Sequence, residues 1–544
     1  MRFHLGDTPQ GRVTIGDDDL ETHMQVIGST GGGKSFFLRY LAEQLITAPH
    51  EPCLIVLDPH GSLYRQLKDL CVYLGIKERV VLFDPSSSPY IIGYNPMKRD
   101  ARDLSYQAMM MLEACRKVWG QETFNQTPRL ARWLYNAFYG AIEAGLTFEE
   151  VRYILDPLNH LYRAVIASET SNGMVRADWE WMLAQKNQQL IEERLESSLN
   201  RIRLFLDNSR IANILTQQQT VLRLREIMDG GKILLVNLES HGQQVSPEHI
   251  HLLGTLLVND VLAAAFARAE GERRPVYLMI DEFHNFVTKD LCAILDGGRK
   301  FGLHLILAHQ HAIGQIKERD PEVYYSVLTN ARTKVIFGGL SCDDAEQFAK
   351  QTFRLDPNKV KLRLYRTYFE PQESTREVLS YSQGYVTNTA LSSGFTSGTI
   401  YGPDGGFFDP GVLRTSEARV TGTASSSGEV SGEATAVVPF YEYHQREELA
   451  SVQFESLEEQ LYQAVVHLID QPTQYAAVKI PNRQIKFVKV PTLKQVFVTD
   501  GRRREFEDYI FTTTGYYSKL EAIEKERRLR ESKIKDKFEA AHVT

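Results

Sequence analysis

Gly28-Ser29-Thr30-Gly31-Gly32-Gly33-Lys34-Ser35 matches the pattern G-x-x-x-x-G-K-[ST] at every fixed position. Glycines let successive backbone N–H groups turn inward on phosphate oxygens, and a helix that follows aims the positive end of its dipole at the same point. In that arrangement Lys34 bridges the β- and γ-phosphates and the Ser35 hydroxyl ligates Mg²⁺. The competing reading is a glycine-rich turn with no ligand. The apolar run His23–Ile27 before the loop and the helical pattern Phe36–Ile46 after it favour the phosphate loop. Far downstream, the apolar run Val276–Ile280 ends in two adjacent carboxylates, Asp281 and Glu282. In a nucleotide hydrolase one carboxylate holds Mg²⁺ and the other polarises the attacking water; the competing reading is a solvated acidic turn. A guanine-reading N-K-x-D pattern is not evident, so ATP is the expected nucleotide.

Such groups need strands to carry them. Cys53–Leu57 is a continuous apolar run of the kind found in buried parallel strands, and it ends in Asp58-Pro59-His60-Gly61. Val80–Phe83, Ile233–Leu238, Val276–Ile280, Leu303–Leu307 and Lys334–Phe337 repeat the pattern with helical stretches between them. Strands alternating with helices indicate a doubly wound α/β core. Gln310 follows one of these strands, where a ligand crevice is expected; it reads either as a γ-phosphate sensor or as a strand-end cap. Arg299 lies where a helix leaves the sheet and reads either as a surface residue or as a group that neutralises transition-state charge. Arg332, in Asn330-Ala331-Arg332-Thr333, is a weaker candidate of the same kind.

From about residue 100 the period changes. Leu130, Trp133, Leu134, Ala137, Phe138 and Ala141 step by three and four, as do Ile191, Leu195, Leu199, Ile202 and Leu206. The expected organisation is therefore a core begun at 1–99, an all-helical insertion at 100–225, core again at 226–380, a Ser/Gly/Thr-rich and partly disordered linker at 381–436, and a C-terminal region at 437–544 with a charged helical tail.

With 544 residues, 43% hydrophobic and 24% charged, the chain has an ordinary globular composition. The formal net charge of −7 means that any polyanion contact is local. The basic candidates are Lys359–Arg366, Arg502–Arg504 and the tail at 525–537; an edge strand and a solvated helix face are the competing readings of the first and last. The five cysteines are scattered without a C-x-x-C pair, which suits a reducing compartment and gives no structural zinc pattern. The apolar stretch Leu252–Ala267 is interrupted by Asn259-Asp260, so a buried helix is expected there, and the chain is expected to be cytoplasmic with no intrinsic membrane segment.

Taken in order, G-S-T-G-G-G-K-S, the strand ending D-P-H-G, L-M-I-D-E-F, G-R-K-F-G and L-I-L-A-H-Q resemble the HerA/FtsK superfamily of hexameric DNA-pumping ATPases, most of all its TraG/TraD-type conjugative coupling proteins. The resemblance spans roughly residues 10–355. It implies a RecA-like core, ATP and Mg²⁺ as cofactors, DNA as partner, a homo-hexamer, and a relaxase or other DNA-processing protein as recruiter. It further implies that Asp281 is the Mg²⁺ carboxylate, Glu282 the catalytic base, Gln310 the polar sensor and Arg299 an arginine finger reaching a neighbouring subunit. Coupling proteins commonly carry N-terminal membrane helices and HerA proteins an N-terminal β-barrel; residues 1–22 match neither. A HerA-like motor in DNA processing or phage defence, and a nucleotide-dependent scaffold, are the alternative functions.

Overall fold

A computed structural model describes residues 2–543 apart from 21, 87–88, 100–101, 121–123, 125–126, 220, 241–244, 269–272, 287–289, 298–300, 319, 387–394, 400–414 and 420–427. Its strands in chain order are β1 (Arg2–Thr8), β2 (Gly11–Gly16), β3 (Met24–Ile27), β4 (Cys53–Asp58), β5 (Val80–Phe83), β6 (Tyr90–Ile92), β7 (Ile233–Asn237), β8 (Val276–Ile280), β9 (Leu303–His309), β10 (Thr333–Phe337), β11 (Val360–Val386), β12 (Phe395–Thr399), β13 (Thr415–Arg419), β14 (Gly428–Phe454), β15 (Tyr475–Lys479), β16 (Lys486–Lys489) and β17 (Tyr517–Lys519).

The runs that are apolar throughout become the centre of an 11-stranded sheet ordered β2-β1-β16-β15-β10-β3-β9-β8-β4-β7-β5. From β10 to β5 every neighbouring pair is parallel. Strands buried on both faces need no alternation, which is why β4, β7 and β8 read as nearly continuous apolar runs; β10 is equally buried although it carries Lys334. The fold class is α/β, as the alternation implies.

Four further strands extend the sheet beyond β10. The short N-terminal hairpin β1–β2 is the outer edge of the main sheet, joined to it through β16. The C-terminal region supplies β15 and β16, and β15 pairs antiparallel with β10, covering what would otherwise be a bare edge beside β3. Residues 1–355 and 460–544 therefore form one compact unit.

Where described, residues 104–229 are mainly helical. Trp133 and Trp179 pack with ring centroids 5.2 Å apart, and Phe148 lies between Phe138, to which it is tilted, and Phe205, which it meets edge to face. The charged tail is the helix Leu520–Val543. It is held to this bundle by buried Arg530, whose Nε donates to Glu150 at 3.0 Å, by Arg527 on Glu149, and by Lys537 on Glu169 at 2.7 Å. The helix Pro247–Phe266 is long and apolar enough to cross a membrane, but 67% of its apolar window is buried in the fold.

Residues 356–459 form a second compact unit. The linker expected at 381–436 is, where described, strand: β11 continues to Val386, β14 begins at Gly428, and β12 pairs with β13. Ser, Gly and Thr look like linker composition, yet Thr and Val are good strand formers, and a ribbon wet on both faces tolerates Ser and Gly.

Candidate active site

The C-terminal ends of adjacent parallel strands line up as β3, β9, β8 and β4, and each delivers a sequence-predicted group. The phosphate loop follows β3, Gln310 follows β9, Asp281 and Glu282 follow β8, and Asp58 ends β4. This is the edge at which open α/β sheets bind ligands.

Glycines here answer to identifiable constraints. A Cβ on Gly28 would stand 2.5 Å from the Cβ of Phe337 on β10, and Gly33 holds φ at 119° just before the helix Lys34–Ile46. The loop is braced from both sides. The Ser29 hydroxyl donates to Gly338 O at 3.1 Å, and Gln474 N donates to Gly32 O at 3.2 Å. Lys34 is buried, with Nζ donating to Gly28 O at 2.5 Å and Ser29 O at 3.2 Å. Burial lowers its pKa, while the charges of Glu282 and Asp281 act in the opposite direction. Ser35 lies exposed in the first turn of the same helix.

Asp281 and Glu282 are both buried. Burial first, then the neighbouring charges of Glu282 and Asp58, push the Asp281 carboxyl up to about 7. Glu282 adopts φ 46°, unusual for a non-glycine residue, and its N–H donates to Asp281 Oδ1 at 3.0 Å. Gln310 spans the gap to the phosphate loop: its Nε2 donates to Glu282 Oε1 at 2.7 Å, and its Oε1 accepts from Thr30 at 2.8 Å. The other oxygen of Glu282 is buried, accepts no hydrogen bond, and lies 3.4 Å from His284 Nδ1. Asp58 does different work, accepting from the N–H groups of His60 and Tyr64 at 2.9 and 2.8 Å to hold the turn after β4.

The donor set suits a nucleotide with Mg²⁺. A carboxyl raised by burial and then by a second acid, beside a loop of glycines and one lysine, favours a cation, and Ser35 and Asp281 are the residues that could hold it.

Two arginines fare differently. Arg299 lies outside the described residues. Arg332 precedes β10, which runs parallel to β3, so it sits at the opposite edge of the sheet from the phosphate loop. One group was missed by the sequence reading. Gln25 on β3 donates from Nε2 to His309 Nε2 at 2.9 Å and accepts from Lys334 Nζ at 3.1 Å, making a buried polar tie across β9, β3 and β10. Lys334 also donates to Leu328 O and Ala331 O at 2.9 and 3.1 Å. Its signal was a polar residue inside each of two short apolar strands.

Comparison with known sequences places this geometry in a family. The profile "Helicase HerA, central domain" matches residues 4–250, and "Type IV secretion-system coupling protein DNA-binding domain" matches residues 179–354. The chain is a P-loop ATPase of the HerA/FtsK superfamily. The two profiles together run from the first strand of this HerA/FtsK-type core through β10. An uncharacterised protein of Aquifex aeolicus (strain VF5) is 41% identical over 49 residues, 9% of this chain and 18% of that protein's length. Among solved structures, the bacterial conjugative coupling protein TrwBdeltaN70 in its unbound form is 14% identical with a TM-score of 0.49, covering 90% of each chain. TrwB in complex with ADP and Mg²⁺ is 13% identical, with a TM-score of 0.48 and 91% and 92% covered. VirB4 of Thermoanaerobacter pseudethanolicus is 16% identical, TM-score 0.41, with 64% and 87% covered. The family assignment rests on the two sequence profiles.

Proposed function

We propose that this protein hydrolyses ATP to move DNA through a ring of its own copies, in the manner of a conjugative coupling protein. The observation that carries the reading is the bridge Thr30–Gln310–Glu282, which ties the phosphate loop to the buried acid at hydrogen-bond distance. A scaffold that only binds nucleotide has no use for a base held beside the phosphates.

The roles follow from the geometry. The inward N–H groups of the loop and Lys34 hold the phosphates, with Lys34 exchanging its present carbonyl partners for phosphate oxygens. Glu282 accepts a proton from the attacking water, and Gln310 fixes the direction of its carboxylate. Ser35 and Asp281 would hold Mg²⁺, which would supply charge neutralisation at the phosphates. Arg299 completes the site from a neighbouring copy.

DNA contact belongs to the assembly. The basic stretches of the single chain are engaged internally: Arg503 on Asp69 at 2.7 Å, Lys359 on Glu455 at 2.8 Å, and the tail on the helical bundle. A relaxase or similar protein is the proposed recruiter in a conjugative setting. The profile over residues 4–250 supports the second reading, a HerA-like DNA-processing or defence motor. ATP turnover by purified protein, without DNA, with single strands and with duplex, tests the proposal. Stimulation by DNA is expected, whereas turnover that is absent or indifferent to both forms of DNA refutes a DNA motor.

A further inference from the structure

Asp260 interrupts the otherwise apolar helix Pro247–Phe266, and its partners come from outside that helix. The Tyr94 hydroxyl donates to one of its oxygens at 2.8 Å and Arg102 Nη2 to the other at 3.0 Å. Both side chains of the ion pair are largely buried, which a charge tolerates only when paired. Tyr94 follows β6 and Arg102 precedes the helix Leu104–Trp119, so these bonds pin that connection to the late turns of the apolar helix. Just beyond Asp260 the helix turns to alanine. Ala263, Ala264 and Ala267 reach no farther than Cβ, and Tyr106 and Met110 on the helix Leu104–Trp119 do not fill the space they leave. A cavity of about 800 Å³ results. That is the size of a pocket for a small organic ligand, whereas ordinary packing leaves few gaps larger than a water molecule.

This space is separate from the nucleotide site. The apolar helix runs from the segment after β7 to the segment before β8, and β8 is parallel, through β9, to β3. Its last turn therefore lies at the sheet edge opposite the phosphate loop. The floor of the cavity is apolar, made by Leu222, Leu224 and Leu262, which are all buried. The rim adds two exposed rings, Tyr106 at 49% and Phe266 at 37%, the latter edge to face with Phe301 at 4.5 Å.

Charge narrows the ligand. Lys98, Arg99, Arg102, Arg223 and Arg225 line the cavity against the acids Glu226, Asp229 and Asp260. Each of those acids has a cation: Arg102 on Asp260, Arg223 on Glu226 at 2.9 Å, and Arg268 on Asp229 at 2.9 Å. Lys98 and Arg99 are exposed and form no ion pair among the described residues. Asp100, next in sequence, lies outside those residues, and its charge would still leave the lining positive. An apolar floor gives nothing to the phosphates of a nucleic-acid strand, and a space of this size holds a whole small molecule. We infer that the cavity binds a small amphipathic organic anion, its apolar or aromatic body against the leucines and alanines and its acidic group at Lys98 and Arg99.

Two dyes with a shared aromatic body test this on the full-length protein: anilinonaphthalene sulfonate carries an anion and phenylnaphthylamine carries none. Fluorescence titration should show one saturable site per chain for the sulfonate. Lys98→Glu combined with Arg99→Glu should weaken the sulfonate at least tenfold and change the neutral amine less than twofold. Both side chains are exposed, so their reversal spares the core. An equal effect on the two dyes, or none on the sulfonate, would overturn the inference. Filling the space should displace both dyes. Ala263→Leu fills it within a helix that leucine favours, and Met110→Trp fills it from the opposite wall. Whichever variant keeps the parent's urea midpoint is read, and a sulfonate site that survives in it lies elsewhere and overturns the inference. If neither keeps that midpoint, the charge reversal decides alone. Saturating ATP should leave the sulfonate bound; competition would place the dye at the phosphate loop and overturn the assignment. No hydrolysis enters these measurements, so their outcome is separate from that of the ATPase reading.

Discussion

Lys34, Glu282 and Gln310 make separable contributions. Lys34→Ala should remove tight ATP binding, since no other described cation reaches the loop's carbonyls. Glu282→Gln should keep binding and lose most turnover, because the amide cannot take the proton; fluorescent-nucleotide titration beside a phosphate-release assay separates the two. Gln310→Leu and Thr30→Val remove opposite ends of one bridge, so the double variant should lose little more than Gln310→Leu alone. The buried tie predicts a pH effect. Burial holds Lys334 down at about 7 and His309 down at about 3, both below their unfolded values. The unfolded chain therefore binds more protons than the folded one, from about pH 3 to 6.5 through His309 and from about pH 7 to 10.4 through Lys334. Stability should rise with pH through both windows, by at most about 1.4 kcal/mol per pH unit per group. Urea unfolding at pH 5, 7 and 9 checks this. Lys334→Met should remove the alkaline rise and leave the acidic one.

At the scale of elements, the parallel core was legible because its central strands are short, mostly apolar runs, several of them ended or followed by a chemically distinctive residue such as Asp58, Asp281 or His309. The phosphate loop and its acid partners could be read the same way. Strand neighbours far apart in sequence could not. Tyr475–Lys479 is short and weakly patterned, and its membership of the main sheet depends on β10, more than a hundred residues earlier. The ribbon was missed because composition was weighed there in place of alternation, and Tyr365, Phe369 and Tyr443 show their common face only once the register is known. The tail helix was read by its charge density, but Arg530 is buried against Glu150 and Glu149. Arg530→Met should leave the Glu150 carboxylate buried without its cation and cost about 3–5 kcal/mol, seen as a lower urea midpoint and earlier proteolysis of residues 520–543.

For the whole molecule, a shared active site makes a prediction that no single-chain property can mimic. Arg299→Ala should bind ATP and assemble, yet hydrolyse it about 10³–10⁵-fold more slowly. Mixing it with Lys34→Ala should partly restore turnover, since each inactive protein supplies what the other lacks. A mixture that co-assembles and stays inactive would place Arg299 on the surface. The backstop of the phosphate loop has a further consequence, and it concerns the order of synthesis. Gly32 O is held by Gln474 N, and the outer edge of β10 is paired only when β15 is present. A ribosome that has made the loop must add roughly four hundred more residues before either partner exists, a delay of about 20–90 s at ordinary elongation rates. Until then the nascent chain carries a bare strand edge and a phosphate loop braced from one side only, by Gly338, so the loop reaches its finished surroundings almost with the end of translation.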